Sequence, residues 1–264
     1  MSDWISHLQL GYKALADHHQ TVAYTHFQVA FEENPDHPLV CFAWGQALAQ
    51  SGHTQEAVVL LERAARAEPD LVEAACAWAK AVMDLGDFSS AKRILQEQET
   101  RHPDNFIVQL TLAEMYIRQA DPDAAETHIE AAHNKGALES TLRIGRSQVA
   151  QLRGLLASRA KDVERARAHF WTATELAPSW AGPWVNLGVL AETSKEFEDA
   201  QKYYERALEI EPGHPVALYN LARLYTHQNQ LKAARKCIQT LLCIVPNYPG
   251  VRELANRVSL EEPT

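Results

Sequence analysis

The sequence predicts an all-α solenoid, a stack of helix–turn–helix units closed by a C-terminal capping helix. Three observations lead there. A column of alanines, Ala23, Ala57, Ala91, Ala125, Ala166, Ala200 and Ala234, recurs in steps of 34 residues, with a single step of 41. Twelve residues before each stands a small residue: Gly11, Gly45, Ala79, Ala113, Gly154, Gly188 or Ala222. Twelve residues after six of them stands a proline: Pro35, Pro69, Pro103, Pro178, Pro212 and Pro246. A repeat of this length marks stacked supersecondary units whose apolar faces are covered by their neighbours.

Each unit holds two segments with apolar residues at helical intervals. In the first unit Gly11 lets a helix approach closely, Ala23 does the same on the second helix, Phe27 fills the space one turn later, and Pro35 stops the helix. The second unit repeats this with Gly45, Ala57, Leu61 and Pro69, and the third with Ala79, Ala91, Leu95 and Pro103. The fourth has Ala113, Ala125 and Ile129 but carries Ala137, preceded by Gly136, in place of the proline. Extra residues, roughly Ser140–Arg146, then predict a long first helix in unit five, capped at Ser140 or Thr141. Gly154, Ala166, Phe170 and Pro178 follow, with Arg153 in a column of Leu and Trp. Gly188, Ala200, Tyr204 and Pro212 mark the sixth unit, and Ala222, Ala234, Ile238 and Pro246 the seventh. Gln98 and Leu241 depart from another alanine column. The polar turns between paired segments read SGHT, LGDF, SKEF and HQNQ. In Pro249–Leu260, Val251, Leu254, Ala255 and Val258 share one face, as an end cap requires.

The sixth unit carries Trp184, Leu187, Gly188, Ala191, Ala200, Tyr204, Ala207 and Pro212, and this pattern resembles the tetratricopeptide repeat (TPR) family. The resemblance covers residues 4 to about 248. It implies a right-handed superhelix whose first helices line a concave groove. It further implies a non-enzymatic interaction scaffold or adaptor that takes a partner peptide or amphipathic helix there. The expected organisation is units one to four over 4–139, units five to seven over 140–248, and cap and tail over 249–264.

At 46% hydrophobic and 22% charged residues, the chain has the composition of a well-cored soluble protein. No apolar run approaches a membrane span, and the start lacks a basic head followed by an apolar stretch. A cytoplasmic protein is expected. Its net charge of −9 argues against nucleic acid as a partner. The charge is uneven: residues 1–139 hold 9 Lys/Arg against 21 Asp/Glu, the remainder 16 against 13. Cys41, Cys76, Cys237 and Cys243 form no CxxC pair and read as reduced core residues. No serine-hydrolase, P-loop or zinc-protease motif is present, so no catalytic residue, cofactor or metal is expected. Glu126, Glu130 and His133 could share a helical face, but other units offer no matching ligands. Asp121 and Asp123 read as a turn and helix start.

Groove residues follow from the register. Asn186 and Asn220 stand one repeat apart, and an Asn amide can both donate to and accept from a peptide backbone. They serve either this or contacts between helices. Arg223, one turn beyond Asn220, is placed to pair with an acidic group on a ligand, and Val189 and Tyr219 stand beside it. In the N-terminal half Tyr12, Gln46 and Lys80 align with Glu114. Leu8, Phe42, Cys76 and Leu110 form an apolar row that either lines the groove or is covered by neighbouring helices. A basic belt includes Arg143, Arg146 and Arg153, within about 80° on a helix. It would meet an acidic partner or polyanion, or stay solvated. The two-carboxylate clamp of TPR proteins that bind Hsp70/Hsp90 is not matched: Gln151, Leu155, Val216 and Asn220 stand where Lys, Asn, Lys and Arg are required. The alternative function is self-assembly, as a homo-oligomer that brings acidic and basic halves together.

Overall fold

The computed structural model describes residues 3–260, and the expected tail over 261–264 lies outside them. Among the described residues all regular structure is helical. The first four repeats pair α1 (Asp3–Ala16) with α2 (Gln20–Glu33), α3 (Pro38–Gln50) with α4 (Thr54–Ala67), α5 (Val72–Asp84) with α6 (Phe88–Arg101), and α7 (Phe106–Arg118) with α8 (Pro122–Asn134). The next three pair α9 (Glu139–Arg159) with α10 (Val163–Leu176), α11 (Ala181–Thr193) with α12 (Phe197–Ile210), and α13 (Pro215–His227) with α14 (Leu231–Ile244). The last helix is α15 (Val251–Leu260). The chain divides into two compact units, Met1–Leu142 and Arg143–Thr264.

The columns read from the sequence are the core of each unit. All seven column alanines are at most 1% exposed. A Cβ on Gly11, Gly154 or Gly188 would overlap the ring of Phe27, Phe170 or Tyr204, respectively, and one on Gly45 would press on Leu61. Where the partner is a slimmer aliphatic residue the column can carry alanine, as in Ala79 with Leu95 and Ala113 with Ile129, although Gly45 stands opposite Leu61.

The prolines stop the second helices as the spacing predicts. Each follows the residue that closes the last turn: the N–H of Asn34, Glu68, His102, Ala177, Glu211 or Val245 donates to the carbonyl four residues back. That residue has left the helical region, with φ between −126° and −145° and ψ between 66° and 89°, in keeping with the bias against helical backbone before proline.

The turns inside the repeats share one geometry that the residue types conceal. His18, Gly52, Gly86, Ala120, Lys161, Lys195 and Asn229 all have positive φ, between 58° and 87°. The next N–H then reaches back over the helix end, as from His53 to Leu48 at 2.9 Å and Glu196 to Ala191 at 2.8 Å. This is the Schellman closure, which glycine favours, yet five of the seven residues here are not glycine.

The second helices of repeats three to five start on Asp87, Asp121 and Asp162, whose carboxylates accept from the N–H three residues on. His37 and His214 cap α3 and α13 through Nδ1. The long helix of repeat five is present. It starts earlier than expected, because the carbonyl of Leu138 accepts from Leu142, which leaves Ser140 and Thr141 inside the first turn. Ser147 is fully buried there and donates to the carbonyl of Ala173.

Val251, Leu254 and Val258 bury the inner face of α15 against repeat seven, while Arg252, Glu253 and Arg257 remain outside. Two cysteines depart from the expectation of core residues: Cys237 is half-buried and Cys243 exposed, while Cys41 and Cys76 are buried.

Candidate functional site

The first helices of the N-terminal unit place Tyr12, Gln46, Lys80 and Glu114 in one column, and four residues further along Gln50, Asp84 and Arg118 in a second. Their charges are joined. Lys80 Nζ lies 2.8 Å from Glu114 Oε2, Arg118 donates to Glu114 Oε1 at 2.7 Å, and its other nitrogen meets Asp84 at 2.5 Å. Burial pushes the Glu114 carboxyl up, but the two cations outweigh it and hold the group below the ordinary carboxylate range. Two clefts flank Gln46 and Gln50. One, of about 330 Å³, is lined by Leu15, Tyr24 and Phe27; the other, of about 310 Å³, reaches Lys80, Asp84 and Arg118. The apolar row beside this wall is largely covered: Leu8 and Cys76 are buried, and Phe42 and Leu110 half-buried.

In the C-terminal unit the equivalent wall is formed by α9, α11 and α13. Leu155, Val189 and Arg223 occupy one column, and Leu155, Val189 and Val216 are exposed to 37%, 40% and 39%. Asn186 and Asn220 are half-buried. Asn220 lies within hydrogen-bonding reach of the Tyr204 hydroxyl, and that hydroxyl donates to Glu192 at 3.0 Å. Arg223 is engaged within the chain, meeting the other Glu192 oxygen at 2.5 Å. Burial, then Glu192, raises the Tyr204 pKa well above the usual phenol range. Tyr219 packs against Tyr248 at 5.2 Å, with its hydroxyl against the backbone of Gly250 before α15.

Arg143 of the basic belt and Arg167 of α10 are also bonded within their unit. Arg143 donates to the carbonyl of Glu175 at 3.2 Å, and Arg167 grips both oxygens of Glu196 at 2.8 Å. Arg143 is exposed, while Arg146 and Arg153 are half-buried. Glu126, Glu130 and His133 do not converge on a common point; among the described residues only Asp3, His7 and Glu33 do.

Sequence reasoning missed Glu192, which neutralises Arg223, and the Asp84 and Arg118 pair, which extends the Lys80–Glu114 network. Asp84 and Arg118 stand one repeat apart in the column next to Lys80 and Glu114, so their positions were legible, but which charges pair was not.

No helix among the described residues is long and apolar enough to cross a membrane. A family profile described as Tetratricopeptide repeat matches residues 82–140 and 191–258, and a second of the same description matches 152–215. Among solved structures, the APC/C hetero-tetramer Cut9-Hcn1 aligns with 97% of this chain and 53% of its own, at 17% identity and a TM-score of 0.61. The chain thus spans about half of that relative. A tetratricopeptide repeat protein from Parabacteroides merdae aligns over 97% of this chain and 98% of its own, at 14% identity and a TM-score of 0.61. Pseudomonas aeruginosa pilF aligns over 83% and 96%, at 19% identity and a TM-score of 0.59. At these identities the likeness is one of fold. No curated protein matches the chain in sequence.

Proposed function

The chain belongs to the tetratricopeptide repeat family, and from that premise we propose that it is a non-enzymatic scaffold holding a segment of another protein against the wall of α9, α11 and α13. TPR repeats generally mediate protein–protein interaction, so the coarse class follows from the family. The observation that supports this wall is the exposure of Leu155, Val189 and Val216 beside the Asn186 amide. Exposed aliphatic groups on three successive first helices favour an apolar ligand surface. The amide would hold a backbone or polar side chain among them. Arg223 is already neutralised by Glu192, which disfavours an acidic tail as the main anchor. The partner that fits is an amphipathic helix, or an extended segment with alternating apolar side chains.

The test is affinity capture from lysate of the source cells, with wild type compared with Val189→Asp and Asn186→Ala. Both residues lie on the helix surface, so the fold should survive, which circular dichroism checks. A partner retained by wild type and lost by Val189→Asp supports the wall. Equal capture by all three proteins removes it.

A further inference from the structure

We propose that Asp3, His7 and Glu33 form a binding site for a divalent transition cation of the zinc class, which ties the first helix to the end of the second. Asp3 and His7 are four residues apart in α1, hence on one face of the helix. The antiparallel pairing of α1 with α2 brings the last residue of α2, Glu33, to the same point. One donor atom from each of the three lies within 4.8 Å of the others. Zinc holds nitrogen and oxygen ligands at about 2.0–2.2 Å, so tetrahedral ligand atoms lie roughly 3.3–3.6 Å apart. Rotation of the exposed carboxylates closes a gap of this size.

Two further features point to a cation. The carboxylates of Asp3 and Glu33 converge, yet neither forms an ion pair with a Lys or Arg among the described residues. Elsewhere converging acids are bridged by cations from the chain, as Arg118 bridges Glu114 and Asp84. His7 also has a partner for one of its two ring nitrogens. Its Nδ1 is hydrogen-bonded to His26 Nδ1 at 3.0 Å, which leaves Nε2 for the cation. One imidazole and two carboxylates suit zinc and its neighbours. Calcium and magnesium favour sites built from oxygen alone. Water would complete the coordination, since Asp3 and Glu33 are exposed.

The site would brace the first helical pair. Leu10 is 45% exposed, whereas Leu112, Leu187 and Leu221 in the same column are at most 2% exposed, each under the preceding repeat. A bridge between α1 and α2 would restrain a pair whose column leucine is less covered than its counterparts.

The experiment titrates the full chain with zinc chloride, following heat by calorimetry and amide hydrogen exchange by mass spectrometry. His7→Ala and the double variant Asp3→Asn/Glu33→Gln are measured alongside. The expected result is one cation per chain, with affinity at least tenfold weaker in both variants. Zinc should slow exchange in α1 and the end of α2 in wild type only. Binding equal in all three proteins would place zinc on other histidines and overturn the proposal. So would the absence of binding, or slowed exchange that persists in the variants. All the substituted groups are exposed or half-buried, and matched unfolding curves without zinc would show the variants folded.

Discussion

The α-carbon of Gly188 lies so close to the Tyr204 ring that a methyl group on it would overlap the ring edge. Tyr204 is fully buried, and Glu192 holds its hydroxyl, so the ring has no room to swing away. The same contact joins Gly154 to Phe170 and Gly11 to Phe27. The small column and the large column are therefore one feature. Aromatic residues demand glycine, and aliphatic ones admit alanine.

Gly188→Ala should accordingly destabilise the C-terminal unit by about 1–3 kcal/mol through overpacking, although alanine is the better helix former. Replacing the ring with the aliphatic residue found in other repeats, Tyr204→Ile, should make Gly188→Ala better tolerated. The double variant is then more stable than the sum of the single effects predicts. Urea unfolding of the four proteins measures the coupling, and simple additivity would contradict the paired-column account.

The turn residues lead to the opposite kind of substitution. Ala120 has φ of 60°, a conformation that costs an L-residue with a Cβ roughly 1–2 kcal/mol. Ala120→Gly should therefore stabilise the protein, by about 0.5–1 kcal/mol once the entropy of glycine in the unfolded chain is subtracted. Gly52→Ala, at φ of 87°, should destabilise it. A rise in urea midpoint for the first and a fall for the second is the expected pair of results.

Acid sensitivity should arise partly from His128. Its Nδ1 meets Gln109 Oε1 at 2.8 Å, Gln109 donates to Glu99 at 2.7 Å, and the ring stacks on Tyr116. Burial lowers the imidazole pKa in the folded state. The unfolded chain therefore gains its proton first, near pH 6.5. Stability from this site is full above that pH and declines as pH falls through the window below it. In His128→Gln the urea midpoint should change less between pH 7.5 and 5.5. An unchanged slope would assign the acid sensitivity to other groups.

The helices, their pairing and their end signals were legible because they depend on residue size at fixed spacing. Ala57, Leu61 and Pro69 do the same work in their repeat as Ala200, Tyr204 and Pro212 do in theirs. The left-handed turn was legible at Gly52 and Gly86 but hidden at Ala120 and Lys195, where repeat geometry overrides residue preference. The start of α9 was displaced because Ser140 and Thr141 are good caps by type, yet the helix begins on the carbonyl of Leu138. The candidate walls were legible as columns, but their charge state was not. Arg223 is neutralised by Glu192, 31 residues away, and Lys80 by Glu114, one repeat away. Such pairing depends on how adjacent first helices face each other, which a column read along one helix does not include.

That neutralised wall yields a final prediction. Glu114 is the only carboxylate that contacts both Lys80 and Arg118 among the described ion pairs. Glu114→Gln should cost about 0.5–1 kcal/mol, as expected for a partly exposed ion-pair network. It should also leave Lys80 unopposed beside the cleft at Gln46 and Gln50. The variant should then bind a fluorescent poly-glutamate peptide in low salt, whereas wild type should not, and added salt should abolish the binding. Protonation should act like the mutation. Because the folded-state pKa of Glu114 is lowered, its stabilising contribution is full above the unfolded value near 4.3 and is lost as pH falls through the lower folded value. Fluorescence anisotropy at two salt concentrations reads the first effect, and the acid limb of the unfolding curve for wild type and Glu114→Gln reads the second. Equal peptide binding by the two proteins would show that Lys80 is not held neutral by Glu114 in solution.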